Sequence, residues 1–247
     1  MARQRHLSKA PIVEAIIDFR VKLPSDYNVT NLLSLKKKLR KDYPLVEEMR
    51  VFESGTRIEG KAVEQTVKDR GLQGYFFKSP DGRNIAQFRQ DGFTFSRLSP
   101  YTDWETVLAQ AEPLWQSYVK VATPELITRL ATRYINRMDL PLPMSNFREY
   151  LTAPPTIPKS LPQAISRFLT RLTMHDPELD MAAHVTQALE KSSKPNYIAI
   201  ILDIDAFRQK DFGFRESEIW PTFKQLHDFK NRIFFDSIRE ATARLFE

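Results

Sequence analysis

The sequence contains no cysteine. That absence removes disulfides, thiol nucleophiles and thiolate metal sites together. Glycine is scarce, seven in 247 residues, and none cluster, so no glycine-rich loop is available to cradle phosphate. The four histidines, His6, His175, His184 and His227, lack metal-ligand spacing such as H-x-x-x-H. His227 lies beside an apolar stripe and reads as a packed or capping side chain. Neither a nucleophile elbow nor a dinucleotide fingerprint occurs, while Ser/His/Asp sets assembled by folding stay open. No stretch is apolar for the length of a bilayer, and Met1-Ala2-Arg3-Gln4-Arg5-His6 has no signal-peptide core. These absences predict a soluble cytoplasmic protein with no membrane contact, no metal and no cofactor.

What is present suffices for a core. Hydrophobic residues make up 42% and charged residues 28%, ordinary values for a globular chain of one large or two small domains. The net charge of +6 is unevenly placed. Ten of the 37 Lys/Arg, but only three of the 31 Asp/Glu, fall within residues 1–41, so the remainder carries −1. Basicity is local to the N-terminal region.

The chain reads as a weak internal repeat. Val13, Ala15, Ile17, Phe19 and Val21 alternate with Glu14, Ile16, Asp18 and Arg20, and the run ends in Leu23-Pro24. Thr132, Tyr134, Asn136, Met138 and Leu140 form a second such run, ending in Leu142-Pro143. Period two with one polar face predicts half-buried strands. A short helix is expected over residues 30–41, from Leu32, Leu35 and Leu39. Hairpins follow at Ser79-Pro80-Asp81-Gly82 and Asp91-Gly92. Thr102-Asp103-Trp104-Glu105 has capping-box spacing and opens a long amphipathic helix, with Pro113 expected to bend it. A final helix is expected from Pro221, where proline suits a first turn. Tyr197-Ile198-Ala199-Ile200-Ile201-Leu202 is strand-like.

These signals predict an α+β fold. Two pseudo-repeated β-α-β-β-β-α halves, residues 1–124 and 125–247, would form one interlocked, largely antiparallel sheet with long helices on one face. The proline-rich residues 141–162 would be a stiff surface loop, although Pro155-Thr156-Ile157-Pro158 also has the P-x-x-P spacing of a recognition segment.

Three sets of residues carry candidate functions. Asp203 and Asp205 would project from one strand face as two-metal phosphoryl- or nucleotidyl-transfer sites require, with Glu14 as a third carboxylate. Leu202-Asp203-Ile204-Asp205-Ala206-Phe207-Arg208 resembles the D-I-D-x-F-K segment of diguanylate cyclases, but that family's glycine-rich G-G-D/E-E-F hairpin is missing. The polar face of a structural strand explains the pair more simply. A nucleic-acid contact would use Arg3, Arg5 and Lys9 as an arm and Lys36, Lys37, Lys38, Arg40 and Lys41 as a cluster, without interleaved aromatics for stacking. A junction between the halves would use Asp18, Arg20, Arg137 and Asp139, since aligning the Leu-Pro ends sets Asp18 against Arg137 and Arg20 against Asp139. Arg133 and Asn136 belong to the same strand, with Asn136 on its apolar face needing buried partners.

Pro11-Ile12-Val13-Glu14-Ala15, Arg133-Tyr134-Ile135-Asn136-Arg137, Leu202-Asp203-Ile204-Asp205 and Leu226-His227 together make the chain resemble an uncharacterised, sporadically distributed family of prokaryotic proteins of similar length. The resemblance implies a bacterial origin and a patchily inherited, accessory role, as in a mobile defence or toxin–antitoxin-type module. It implies no activity. The expectation is a non-enzymatic protein that binds another macromolecule, a protein first, through the sheet face or the groove between halves. Nucleic-acid binding and metal-dependent phosphoryl transfer remain the alternatives.

Overall fold

The computed structural model describes residues 1–59 and 62–247. Nine strands form one continuous, wholly antiparallel sheet. In chain order they are β1 (Ile12–Lys22), β2 (Leu45–Glu59), β3 (Ala62–Lys78), β4 (Asn84–Arg89), β5 (Gly92–Leu98), β6 (Leu126–Pro141), β7 (Leu169–Asp176), β8 (Met181–Lys191) and β9 (Tyr197–Phe212). The spatial order is β2-β3-β4-β5-β1-β6-β9-β8-β7. Four α-helices accompany them among the described residues: α1 (Leu35–Leu39), α2 (Trp104–Ala122), α3 (Glu216–Ser237) and α4 (Glu240–Arg244).

This arrangement overturns the expected pair of β-α-β-β-β-α halves beneath long helices. The dominant feature is the single sheet, and its two sides are unequal. Four strands follow the first short helix, because residues 45–78 form a long ribbon held by cross-strand ion pairs rather than by apolar alternation. After β6 there is no α-helix before β7, only a 3₁₀ turn at Phe147–Glu149, as prolines interrupt that segment. The main helix contacts are α2 with β1, β4 and β5, and α3 with β6 and β9, so the outer strands lie beyond them.

Phe19 organises the core. Its ring stacks on Trp115 of α2 at 3.8 Å and meets Phe223 of α3 at 4.9 Å, with the Trp220 edge at 6.0 Å. One side chain on β1 thus touches both α2 and α3, and aromatic pairs of this kind add about 0.5–1.5 kcal/mol beyond area burial. Helix starts differ from expectation. Asp103, not Thr102, caps α2 by accepting from the Thr106 N–H at 2.6 Å, and α3 begins at Glu216, a turn before Pro221. Pro113 lies within α2 without ending it.

The N-terminal segment is tied to the end of the chain. The Ala2 N–H donates to the Phe235 and Ile238 carbonyls, and the Lys9 N–H to that of Phe246. Near the other end of β1, the Asp91-Gly92 turn is pressed against it. Gly92 has φ +153°, and a Cβ built there would collide with the Phe19 carbonyl oxygen. Gly92→Ala is therefore expected to destabilise the fold by at least about 2 kcal/mol in denaturant titration. An unchanged midpoint would mean that β5 and β1 are not held this closely.

Candidate functional site

The face of the sheet opposite Phe19 carries the charged strand residues singled out in the sequence, though not Asn136. Alternation along β1 sends Asp18 to this face, and the register brings Thr94 of β5 directly opposite it. Asp18 is only 8% exposed. It accepts from Thr94 Oγ1 at 2.6 Å and pairs with Arg89 at 3.2 Å, Arg20 at 3.2 Å and Arg129 at 3.3 Å. Burial pushes its carboxyl up, but Arg20, Arg89, the Thr94 bond and Arg129 outweigh that and hold it below the usual range. Arg129 continues the ladder, gripping both oxygens of Asp205 at 2.8 Å while lying over the Phe207 ring at 4.5 Å. Arg129 does so from a single nitrogen, Nη2, whereas Arg133 grips Asp203 as a two-nitrogen fork, Nε to Oδ1 at 2.8 Å and Nη2 to Oδ2 at 2.6 Å.

This pairing decides the chemistry. Glu14 shares the face, but β6 with Arg133 separates it from Asp203 and Asp205. A divalent cation at either aspartate would compete with a guanidinium already bound through two hydrogen bonds. Among the described residues no group of three or more His, Asp or Glu side chains is placed to hold a metal ion. The carboxylates work as register locks between β9, β6, β1 and β4.

The junction strands are neighbours, but the charge pairs across them differ from those expected. Ala15 and Tyr134, equivalent when the Leu-Pro ends are aligned, are cross-strand partners of each other. Equivalent residues away from that point must then diverge in opposite directions along antiparallel strands. Asp18 faces Ala131, and Arg137 lies six residues further along β6, roughly 20 Å away. Arg137 instead holds Glu190 at 2.9 Å, and Asp139 accepts from Ser192 at 2.9 Å and pairs with Lys194 at 3.3 Å. Arg20 pairs with Asp91 and Asp18. Asn136, fully buried, donates from Nδ2 to the Leu202 carbonyl at 2.9 Å, tying β6 to β9.

The basic residues divide. Arg5 binds Glu240 at 2.7 Å and Glu247 at 2.5 Å, the Arg3 N–H donates to Glu240 at 3.2 Å, and Lys9 Nζ reaches the Glu247 carbonyl at 3.0 Å. Arg5 and Lys9 of the expected arm thus fasten residues 5–9 to Glu240 and Glu247, whereas the exposed Arg3 guanidinium makes no ion pair among the described residues. Lys38 donates to Ser117 at 2.8 Å. Lys36, Lys37, Arg40 and Lys41 remain exposed and make no ion pair among the described residues.

Sequence reasoning passed over Lys230. It occupies an apolar-stripe position of α3 between Leu226 and Ile233, and that placement was the available signal. The residue is 4% exposed, with Nζ 3.6 Å from the Tyr134 ring centre and 2.5 Å from Asn231 Oδ1. Burial lowers its ammonium to about 7. His227, stacked on Trp104 at 4.5 Å, is lowered to about 3, again chiefly by burial.

The β2–β3 ribbon was also missed. β4 pairs only with Gly74–Lys78 of β3, so residues 50–59 and 62–72 pair with each other alone. This arm extends ~30 Å past the last β3–β4 pair. It exposes Val51, Phe52 and Val67, by 46%, 59% and 72%. Arg50 pairs with Asp69 at 2.7 Å and Arg70 with Glu53 at 2.5 Å, so these four charges are neutralised in cross-strand pairs.

No protein family matches the chain, and no curated protein does. Among the described residues, no helix is long and apolar enough to cross a membrane.

Two measurements check these assignments. Asp18→Ala leaves Arg89 and Arg129 without their shared carboxylate and is expected to cost about 3–5 kcal/mol at neutral pH. Because the folded carboxyl lies low, its contribution is present above about pH 4 and is lost as pH falls through the folded value. A loss under about 1 kcal/mol would remove Asp18 as the hub. Lys230 acts in the opposite range: folding releases a proton the unfolded lysine keeps, so stability rises with pH between about 7 and 10.5. Lys230→Met is expected to stabilise the protein by about 1–3 kcal/mol at pH 7 and to flatten that rise when unfolding is followed from pH 7 to 9.5.

Proposed function

We propose that this is a non-enzymatic, cytoplasmic macromolecule-binding protein whose partner is another protein, engaged through the β2–β3 arm. The arm carries this reading. A two-stranded ribbon without a third strand or a covering helix is marginally stable in water. Exposed apolar side chains on it, with four of its charges neutralised in cross-strand pairs, suit a protein surface better than a phosphate backbone. Its unpaired edges offer main-chain donors and acceptors to an added strand. The internal pairing of Asp203 and Asp205 argues against phosphoryl transfer. The resemblance to a sporadically distributed prokaryotic family supports a place in a bacterial defence or toxin–antitoxin-type module.

A second reading, nucleic-acid binding, is favoured by the exposed cluster Lys36, Lys37, Arg40 and Lys41. It predicts DNA or RNA affinity that falls steeply with salt and with alanine substitution of the cluster.

The two separate in one experiment. Purification from the native host, read by mass spectrometry, should recover a stoichiometric protein partner that survives nuclease treatment. The Phe52→Ser/Val67→Ser variant should lower that recovery at least about tenfold with unchanged thermal stability. Recovery of nucleic acid alone, or a partner indifferent to the arm variant, would overturn the reading.

A further inference from the structure

The helix-side face of the sheet is finished differently on its two sides. Over β3 and β4, a 3₁₀ turn (Val29–Ser34) and α1 bury Leu32, Leu35 and Leu39. Near the ends of β8 and β9 no α-helix takes that place. Residues 142–168 cross there, fixed at Leu151 by a bridge to Ile238, and an open cavity of about 1230 Å³ lies against them. Small-molecule pockets span about 300–1,000 Å³, so this space is larger than such a ligand needs.

The lining is apolar with a cationic rim. Phe147, Ile157, Ile165, Phe168 and Ile198 are left half-buried around it. Arg148, Lys159, Arg167 and Lys191 also line it, are exposed, and form no side-chain ion pair or hydrogen bond among the described residues. Glu190, the one carboxylate in the lining, is already held by Arg137 at 2.9 Å. Several arginines elsewhere, such as Arg5, Arg20, Arg50, Arg70, Arg89, Arg129, Arg133 and Arg232, have carboxylate partners, whereas others such as Arg3, Arg83 and Arg171 are exposed without one but do not gather around an apolar space. Four uncommitted cations around one apolar space therefore call for external negative charge.

We propose that this cavity docks an acidic peptide segment of a partner protein, whose apolar side chains fill the space that α1 and its preceding turn fill on the other side. The inference rests on the protein-binding reading and places a second contact far from the arm in sequence. A nucleic-acid strand fits less well. Phe147 and Phe168 meet edge to face, 5.6 Å apart at 88°, rather than offering parallel platforms for bases.

The probe is a fluorescent synthetic peptide of Glu, Leu and Phe, titrated onto the full chain by anisotropy. Saturable binding that weakens with salt, and falls at least about tenfold in Arg148→Glu/Arg167→Glu, supports the proposal. Ile165→Asp should weaken binding as well, while a peptide with Ser in place of Leu and Phe should not bind. Both altered side chains of the double variant are solvent-facing, and thermal unfolding checks that the fold is kept. No binding at low salt, or binding unchanged in the double variant, overturns it. So does tighter binding of a single-stranded oligonucleotide lost in that same variant. A native partner captured through the arm and unaffected by all cavity variants would defeat this inference while leaving the protein-binding reading intact.

Discussion

A carboxylate buried among three guanidinium groups governs this structure. Asp18 lies on the central strand with Arg20 beside it, Arg89 reaching from β4 and Arg129 from β6. Desolvating such charges costs several kcal/mol for each, and only near-complete pairing offsets that cost. The set is therefore cooperative, for Asp18, Arg89 and Arg129 are each largely buried on condition that the others are in place, while Arg20 closes the set from its exposed side. It also fixes register. A one-residue slip of β1 would send Asp18 into the aromatic core and Phe19 out to the arginines, two penalties that reinforce each other.

The same pairing shapes the functional reading. Charges that resemble catalytic apparatus when seen in isolation prove to be consumed in crosslinking strands. Asp203 and Asp205 are each clasped by one arginine, and Arg5 by Glu240 and Glu247. The apolar arm, the α1 lysines and the cationic cavity are places where uncommitted groups stand together. Function in such a molecule is best sought where local interactions are left incomplete.

Sequence legibility followed the physics of each element. β1 and β6 were readable because one face is dry and the other wet, so alternation is enforced. α2 and α3 were readable from their apolar stripes. Beyond its base, where Tyr75 and Phe77 are buried, the β2–β3 ribbon was not, because it exposes Val51, Phe52 and Val67 and is held by pairs such as Arg50–Asp69, which lie far apart in sequence. The unequal sides of the sheet were hidden for a related reason. A proline-rich stretch announces that a helix is absent without saying what stands in its place. Asp18 was correctly set on the outward face, yet its partners depended on register, and register cannot be read from one strand alone.

The central position of β1 has a kinetic consequence. Its two neighbours are β5 and β6, both later in the chain, so β1 waits for residues 92–98 on one side and 126–141 on the other. Until then Phe19 lacks Trp115 and Phe223, and Asp18 lacks Arg89 and Arg129. A sheet assembled from such distant partners has a high contact order, which slows folding and prolongs exposure of sticky intermediates. Its most vulnerable interval is thus set by topology, between completion of β1 and the arrival of β5 and β6, when the central strand is still alone.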